Sequence, residues 1–301
     1  QPEREGETMN RPDAEDTRAP SRSRDGSLAK RLLASAVFLP CLIVIARFGS
    51  WYYFALIELV IVIGLVEYYS IMSTRGLRPH RLLGMAAGAL LPAALFLRGG
   101  MWAPVLITAF LLAVMTAELI RGEREHALGR IAATVFGVMY VSWLGSHLAL
   151  VRELPRETGL EYAAGFPLVI AVFTMTWCYD TGAYAAGTLF GRRRLFPSIS
   201  PGKTVEGAAG GVIFSIAGIL VAREIVEMPF TGAQAAALAV AASVTGQVGD
   251  LVESLMKRDA GIKDSSRAIP GHGGVLDRFD SLLFTAPVLY YLMRFLVLRG
   301  H

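Results

Sequence analysis

Charge is scarce in this chain, and so is cysteine. Charged residues make up 18% of its 301 positions, against roughly a quarter in an ordinary soluble domain. The two cysteines, Cys41 and Cys178, both fall inside apolar runs. That count excludes a disulfide framework and a cysteine-ligated metal, and it reads as two buried, unreactive thiols. No cleavable signal peptide is expected, because the first apolar run follows a long mixed-charge tail. A modest net charge of +4 is explained first by the excess of basic residues in cytoplasmic loops of a membrane protein, and no nucleic-acid partner is expected.

What the chain has in abundance is apolar sequence. Hydrophobic residues reach 53%, and the mean hydropathy is +0.47. After Lys30-Arg31 nine apolar runs follow, at about 32–48, 51–72, 82–98, 102–120, 131–151, 163–190, 205–222, 233–256 and 279–298. A helix needs roughly 20 residues to cross a bilayer, and only helices or closed barrels can satisfy their backbone there. The expected fold is therefore all-α, a polytopic integral membrane bundle of about nine transmembrane helices. Residues 1–30, polar and without apolar periodicity, are expected to form a disordered cytoplasmic tail. Residues 31–160 would hold about five helices. Residues 161–301 would hold four more, together with loops 191–204 and 257–278, and carry the catalysis. Runs three and four, joined by Arg98-Gly99-Gly100, predict a tight helical hairpin. The glycine and alanine in runs three, seven and eight predict centrally packed helices.

Loop charge sets the orientation. With the N-terminus inside, cytoplasmic segments carry 22 of the 29 lysines and arginines and outer segments carry 7. This bias puts the N-terminus and both charged loops in the cytoplasm and the C-terminus outside, in what is read as the cell inner membrane.

Ionisable residues inside spanning helices point to function first. Glu118 is close enough to a helix end to reach the interface. Glu58 and Glu67 read as structural partners for arginines before anything else, and His147 as a hydrogen-bonded core residue. Asp180 and Asp250 stand apart, since both precede a cytoplasmic helix end and should lie at similar depth. Ser243, Gln247, Asp250, Ser254 and Lys257 recur at spacings of four, three, four and three, on one helix face. That polar stripe lines either a cavity or a hydrogen-bonded helix seam.

The loop that follows interleaves Lys257, Arg258, Lys263 and Arg278 with Asp264, Asp277 and Asp280, around Gly271, Gly273 and Gly274. Hard divalent cations such as Mg²⁺ take one or two carboxylates plus substrate phosphate oxygens. Lysine and arginine meet phosphate, and glycines let backbone N–H groups approach an anion at a helix N-terminus. His272 reads either as a general acid/base or as a turn residue. In the other loop, Gly202-Lys203-Thr204 falls short of a P-loop, because Pro197 stands where a glycine is required and no strand is expected before it. A Pro-Gly turn presenting Lys203 and Thr204 to a helix start remains. The Arg192-Arg193-Arg194 run is a topology anchor or a phosphate ligand.

Ser254-Leu255-Met256-Lys257-Arg258, Lys263-Asp264, Pro270-Gly271-His272-Gly273-Gly274 and Asp277-Arg278-Phe279-Asp280 together resemble the signature of the phosphatidate cytidylyltransferases. Ser200–Gly207 and Tyr179–Tyr184 also look like segments of that family, so the resemblance covers about 165–285. The long N-terminal tail departs from it. The resemblance implies that CTP and phosphatidic acid give CDP-diacylglycerol and pyrophosphate. It implies a homodimer that needs Mg²⁺, with K⁺ as a second cation, and metal carboxylates at Asp250 and Asp277, with Asp180 and Asp280 as further candidates. Lys203, Lys257, Arg258, Lys263, Asp264 and Arg278 become the expected catalytic set. Ser200, Thr204, Ser254, His272, Gly273 and Gly274 become the expected substrate contacts. Two rivals remain, another CTP-dependent enzyme acting on a lipid phosphate or polyprenol, and an ion-coupled transporter using Asp180 and Asp250.

Overall fold

The computed structural model describes residues 38–97, 101–262, 265–266 and 273–300. The N-terminal tail, the Arg98–Gly100 link, Lys263, Asp264 and His272 lie outside the described residues. Within them the chain is helical apart from one small hairpin. The helices are α1 (Phe38–Phe48), α2 (Ser50–Thr74), α3 (Arg81–Phe96), α4 (Trp102–Arg121), α5 (Ala127–Gly137), α6 (Leu144–Thr158), α7 (Gly165–Phe190), α8 (Val205–Ile225), α9 (Gly232–Asp259) and α10 (Leu276–Gly300). A π-helical turn at Val138–Trp143 joins α5 to α6, so the described residues form nine helical rods.

These rods fall on the nine apolar runs. Seven are long and apolar enough to cross a membrane. α3 has 16 residues, fewer than the roughly 20 that a full crossing needs, and the described part of α1 is shorter still.

The α5–α6 rod, α7, α10 and α2 form the buried centre, whereas α8 contradicts its predicted central place. Little of the apolar stretch of α8 is buried, whereas most of that in the rod containing α7 is buried. Its small residues serve one side only. A Cβ on Gly210 would strike Ala186, and one on Gly211 would strike Tyr179, both on α7. Away from that seam it presents exposed Ile213 and Val221. Close approach through small residues thus makes a single α7–α8 seam.

Three further expectations change. Cys41 is exposed on α1 rather than buried. Glu118, read as free to reach out at a helix end, is buried and pairs with Arg130 and with His80 Nε2 at 2.7 Å. Arg152, counted among the outer loop charges, is buried at 2% exposure. It donates from Nε to the Ala46 carbonyl at 2.8 Å and from Nη1 to the Tyr162 carbonyl at 3.0 Å. His147 is the core residue expected, with Nδ1 2.8 Å from the Trp143 carbonyl.

The site is positioned by chain direction. The C-terminal ends of α7 and α9 and the N-terminal ends of α8 and α10 meet at one end of the bundle. Both charged loops therefore converge there.

Candidate functional site

The segment after α7 forms a two-stranded antiparallel hairpin, β1 (Arg194–Phe196) and β2 (Ser200–Thr204), with Arg194 opposite Thr204. Its base is tied to α8 twice. Thr204 caps the helix by accepting the Gly207 N–H at 3.0 Å, which satisfies one orphan donor of the first turn. The Glu206 carboxylate accepts the N–H groups of Arg192 at 3.0 Å and Arg193 at 3.1 Å. The expected turn is therefore a braced strand, and it fixes Lys203. Lys203 Nζ lies 2.5 Å from Asp250 Oδ2 on α9.

The polar stripe of α9 turns out to be both things it could be. Ser243 Oγ bonds back to the Ala239 carbonyl of its own helix at 2.7 Å. Gln247 and Asp250 line a cavity. Ser254 Oγ donates to Asp250 Oδ1 at 3.3 Å. Lys257 crosses to α10, with Nζ 2.7 Å from Asp277 Oδ1 and 3.2 Å from Glu253 Oε2.

At the start of α10 the chain supplies its own anions. Asp277 Oδ2 accepts the Gly274 N–H at 2.8 Å and the Ser265 N–H at 3.0 Å. Glu67, from the middle of α2, accepts the N–H groups of Val275 at 3.0 Å and Leu276 at 2.8 Å. It also accepts Ser265 Oγ at 3.2 Å and Ser266 Oγ at 2.5 Å. The first N–H groups of a helix have no partner within it and attract negative charge. Here Glu67 and Asp277 fill that place, so the Gly274 N–H is directed to Asp277 rather than outward. Gly274 also has to be glycine, since a Cβ there would collide with Ser265 Oγ and the Glu67 carboxylate. Glu67 thus ties Ser265 and Ser266 to the start of α10, in place of the arginine partnership its sequence neighbourhood suggested.

These elements enclose a cavity of about 850 Å³. Asp180 of α7, Asp250 of α9, and Asp277 and Asp280 of α10 line it, opposed by Lys203 and Arg278. Ser200, Thr204 and Arg194 line it as well. Asp180 and Asp250, predicted at similar depth, open onto the same space. Asp280 is held by the Ser281 N–H at 2.6 Å and meets Glu253.

The donor set suits a hard cation. Four carboxylates face one cavity, and among the described residues no ion pair reaches Asp180 or Asp280. Among the same residues no three acidic, histidine or cysteine side chains converge as a closed metal cage, because Lys203 and Lys257 hold Asp250 and Asp277. An open site of one or two carboxylates completed by phosphate oxygens is the arrangement Mg²⁺ favours.

Not every predicted residue comes together here. Arg258 is exposed and lies outside the cavity lining. Ser254 reaches the site through Asp250, and Gly274 through Asp277. Gly273 adopts φ +83° in the turn that leads into α10. Lys263, Asp264 and His272 lie outside the described residues.

Comparison with known proteins follows the same lines. The model of a cytidylyltransferase family matches residues 29–296. A phosphatidate cytidylyltransferase of Synechocystis is 32% identical over 284 residues, 87% of this chain and 95% of that protein. The phosphatidate cytidylyltransferase of Bacillus subtilis is 33% identical over 187 residues, 62% of this chain and 67% of its own. One from Staphylococcus epidermidis reaches 42% over 158 residues, 52% of this chain and 58% of its own.

Proposed function

The chain belongs to the cytidylyltransferase family, and on that premise we propose how its cavity is used: it is a phosphatidate cytidylyltransferase, an integral membrane enzyme that converts CTP and phosphatidic acid to CDP-diacylglycerol and pyrophosphate. The observation that carries this reading is the cavity itself. It sets Lys203 and Arg278 opposite four carboxylates at the end of a membrane bundle, where a triphosphate from water and a phosphate from lipid can meet.

A phosphate oxygen of the lipid attacks the α-phosphorus of CTP, and the bond to the pyrophosphate oxygen breaks. Such transfer is mostly positioning and charge neutralisation. A lipid phosphate is already anionic at neutral pH, so the chain needs no dedicated base. Lys203, braced on its strand, and Arg278 take phosphate oxygens by charge-assisted hydrogen bonds. Lys257 orients Asp277. Asp250 and Asp277 would hold Mg²⁺, with Asp180 and Asp280 facing the same space and K⁺ as a second cation. The metal, when bound, neutralises phosphate charge. In keeping with the loop charges, the cavity opens to the cytoplasm, the N-terminus lies inside and the C-terminus outside the cell inner membrane. The family resemblance adds that the enzyme works as a homodimer.

The direct test uses purified protein in detergent with labelled CTP and phosphatidic acid. A lipid-soluble nucleotide product is expected with a divalent cation and is expected to vanish with chelator. No product under any cation condition overturns the function.

Lys203 gives a second expectation. Lys203→Met keeps much of the side-chain length but leaves Asp250 without its cation. The KM for CTP should rise by about tenfold to a hundredfold, the scale of one charged hydrogen bond. An unchanged KM and kcat would remove Lys203 from the phosphate site.

A further inference from the structure

A second cavity, of about 590 Å³, adjoins the first. It runs between α8 and α9 beneath the hairpin, from Val212 and Ser243 up to Leu195 and Phe196. Along α9 it extends from Ser243 to Leu255, ~18 Å at about 1.5 Å per residue. Its walls are apolar side chains of the two helices and the hairpin. Ser243, low on the wall, is already bonded to its own helix, and the other polar side chains of the lining, Tyr179 and Gln247, sit where the groove meets the first cavity. Val244, Val248 and Leu255 are exposed at its rim, so it opens outward from the bundle, on the flank that faces the bilayer. The charged cavity and this groove share Tyr179, Ala208 and Gln247.

That junction has an unmet hydrogen-bond donor. The Tyr179 hydroxyl donates to Gln247 Oε1 at 2.6 Å, which fixes the amide. The opposite end, Gln247 Nε2, is buried and has no partner among the described residues. Buried amide donors are almost always paired, and leaving one unmet is costly. Gln247 lines the charged cavity as well as the apolar groove, so an acceptor that meets Nε2 lies between the place of a phosphate and that of a hydrocarbon chain. An ester carbonyl of a glycerophospholipid has that place.

We propose that the Tyr179–Gln247 junction is a subsite for the glycerol ester of the lipid substrate, with Gln247 Nε2 donating to an ester carbonyl and one acyl chain lying in the α8–α9 groove. The phosphate then falls in the charged cavity beside Lys203 and Arg278. This assignment rests on the cytidylyl-transfer reading and adds what selects the lipid.

The test compares ester-linked with ether-linked phosphatidic acid, using the full-length enzyme in mixed micelles. Wild type should prefer the ester by about tenfold in kcat/KM, the scale of one hydrogen bond. Gln247→Met keeps volume and removes the donor. It should bring the preference to within about twofold, through the KM for ester lipid and not the KM for CTP. Val248→Trp, at the rim, should raise the KM for long-chain phosphatidic acid about tenfold while sparing a short-chain, water-soluble analogue. An ester preference identical in wild type and Gln247→Met overturns the ester contact. Equal effects of Val248→Trp on long and short chains overturn the groove, and this variant decides alone if Gln247→Met does not fold. A wild type active on both linkages but indifferent between them sinks the subsite and leaves the function standing. A wild type inactive on every lipid sinks both.

Discussion

Asp277→Asn is expected to lower turnover by about a thousandfold, ~4 kcal/mol in the barrier, while leaving the protein folded. The two halves of that expectation have different sources. The side chain accepts from the backbone of Gly274 at 2.8 Å and Ser265 at 3.0 Å. Asparagine keeps one carbonyl oxygen and nearly the same shape, so much of the turn into α10 survives. What is lost is the negative charge. Lys257 is left with Glu253 as its remaining partner among the described residues, and the cavity loses one of the carboxylates that would bind a divalent cation. Removing one pre-oriented charge from a transfer site commonly costs two to three orders of magnitude. Turnover assays on the purified variant, beside its melting temperature in the same detergent, separate the two. Near-normal turnover would remove Asp277 from the metal site. Lost turnover together with a collapsed melting temperature would instead make the residue structural.

The fold was legible in the sequence because membrane spans advertise themselves through length and apolarity alone. Asp250 and Asp180 were legible for a related reason, since a carboxylate in an apolar helix has few bland explanations. Their shared depth followed from counting residues to the helix ends. The β-hairpin was not legible. Ser200–Thr204 carries a proline and a glycine and no apolar alternation, so strand pairing there depends on Glu206 and Thr204 bracing its base. The peripheral place of α8 was hidden because composition reports how many small residues a helix has, not whether they share one side. Arg258 and Gly274 show the limit of a motif. Both sit in the signature segment, yet the first points away from the cavity and the second hands its N–H to Asp277. The signature marks a segment that has to be built, and among its described residues only some touch the cavity.

Glu67 is the largest feature the sequence concealed, and it yields the second large effect. Its partners lie 198 to 209 residues away, beyond any local pattern, and nothing near it in α2 hints at them. Glu67→Gln exchanges one acceptor oxygen for an N–H₂ group. Whichever way the amide turns, its N–H₂ then faces one backbone N–H and one serine hydroxyl, either Val275 and Ser266 or Leu276 and Ser265. It also removes the negative charge that favours the α10 N-terminus. Hydrogen bonds to a charged partner contribute about 1.5–3 kcal/mol each, so losing even one or two loosens the turn that carries Asp277. Turnover is expected to fall by about a hundredfold, because small misplacement of a reacting group is enough for that. Amide hydrogen exchange at Ser265, Ser266, Val275 and Leu276 should quicken, while the rest of α2 and the α7–α8 seam keep their protection. Gly274→Ala should give the same local pattern by a different route, since its methyl group collides with the Glu67 carboxylate. A loss of turnover without any local change in exchange would mean that Glu67 acts on the reaction directly. Normal turnover would mean that the loop holds its shape without the grip from α2.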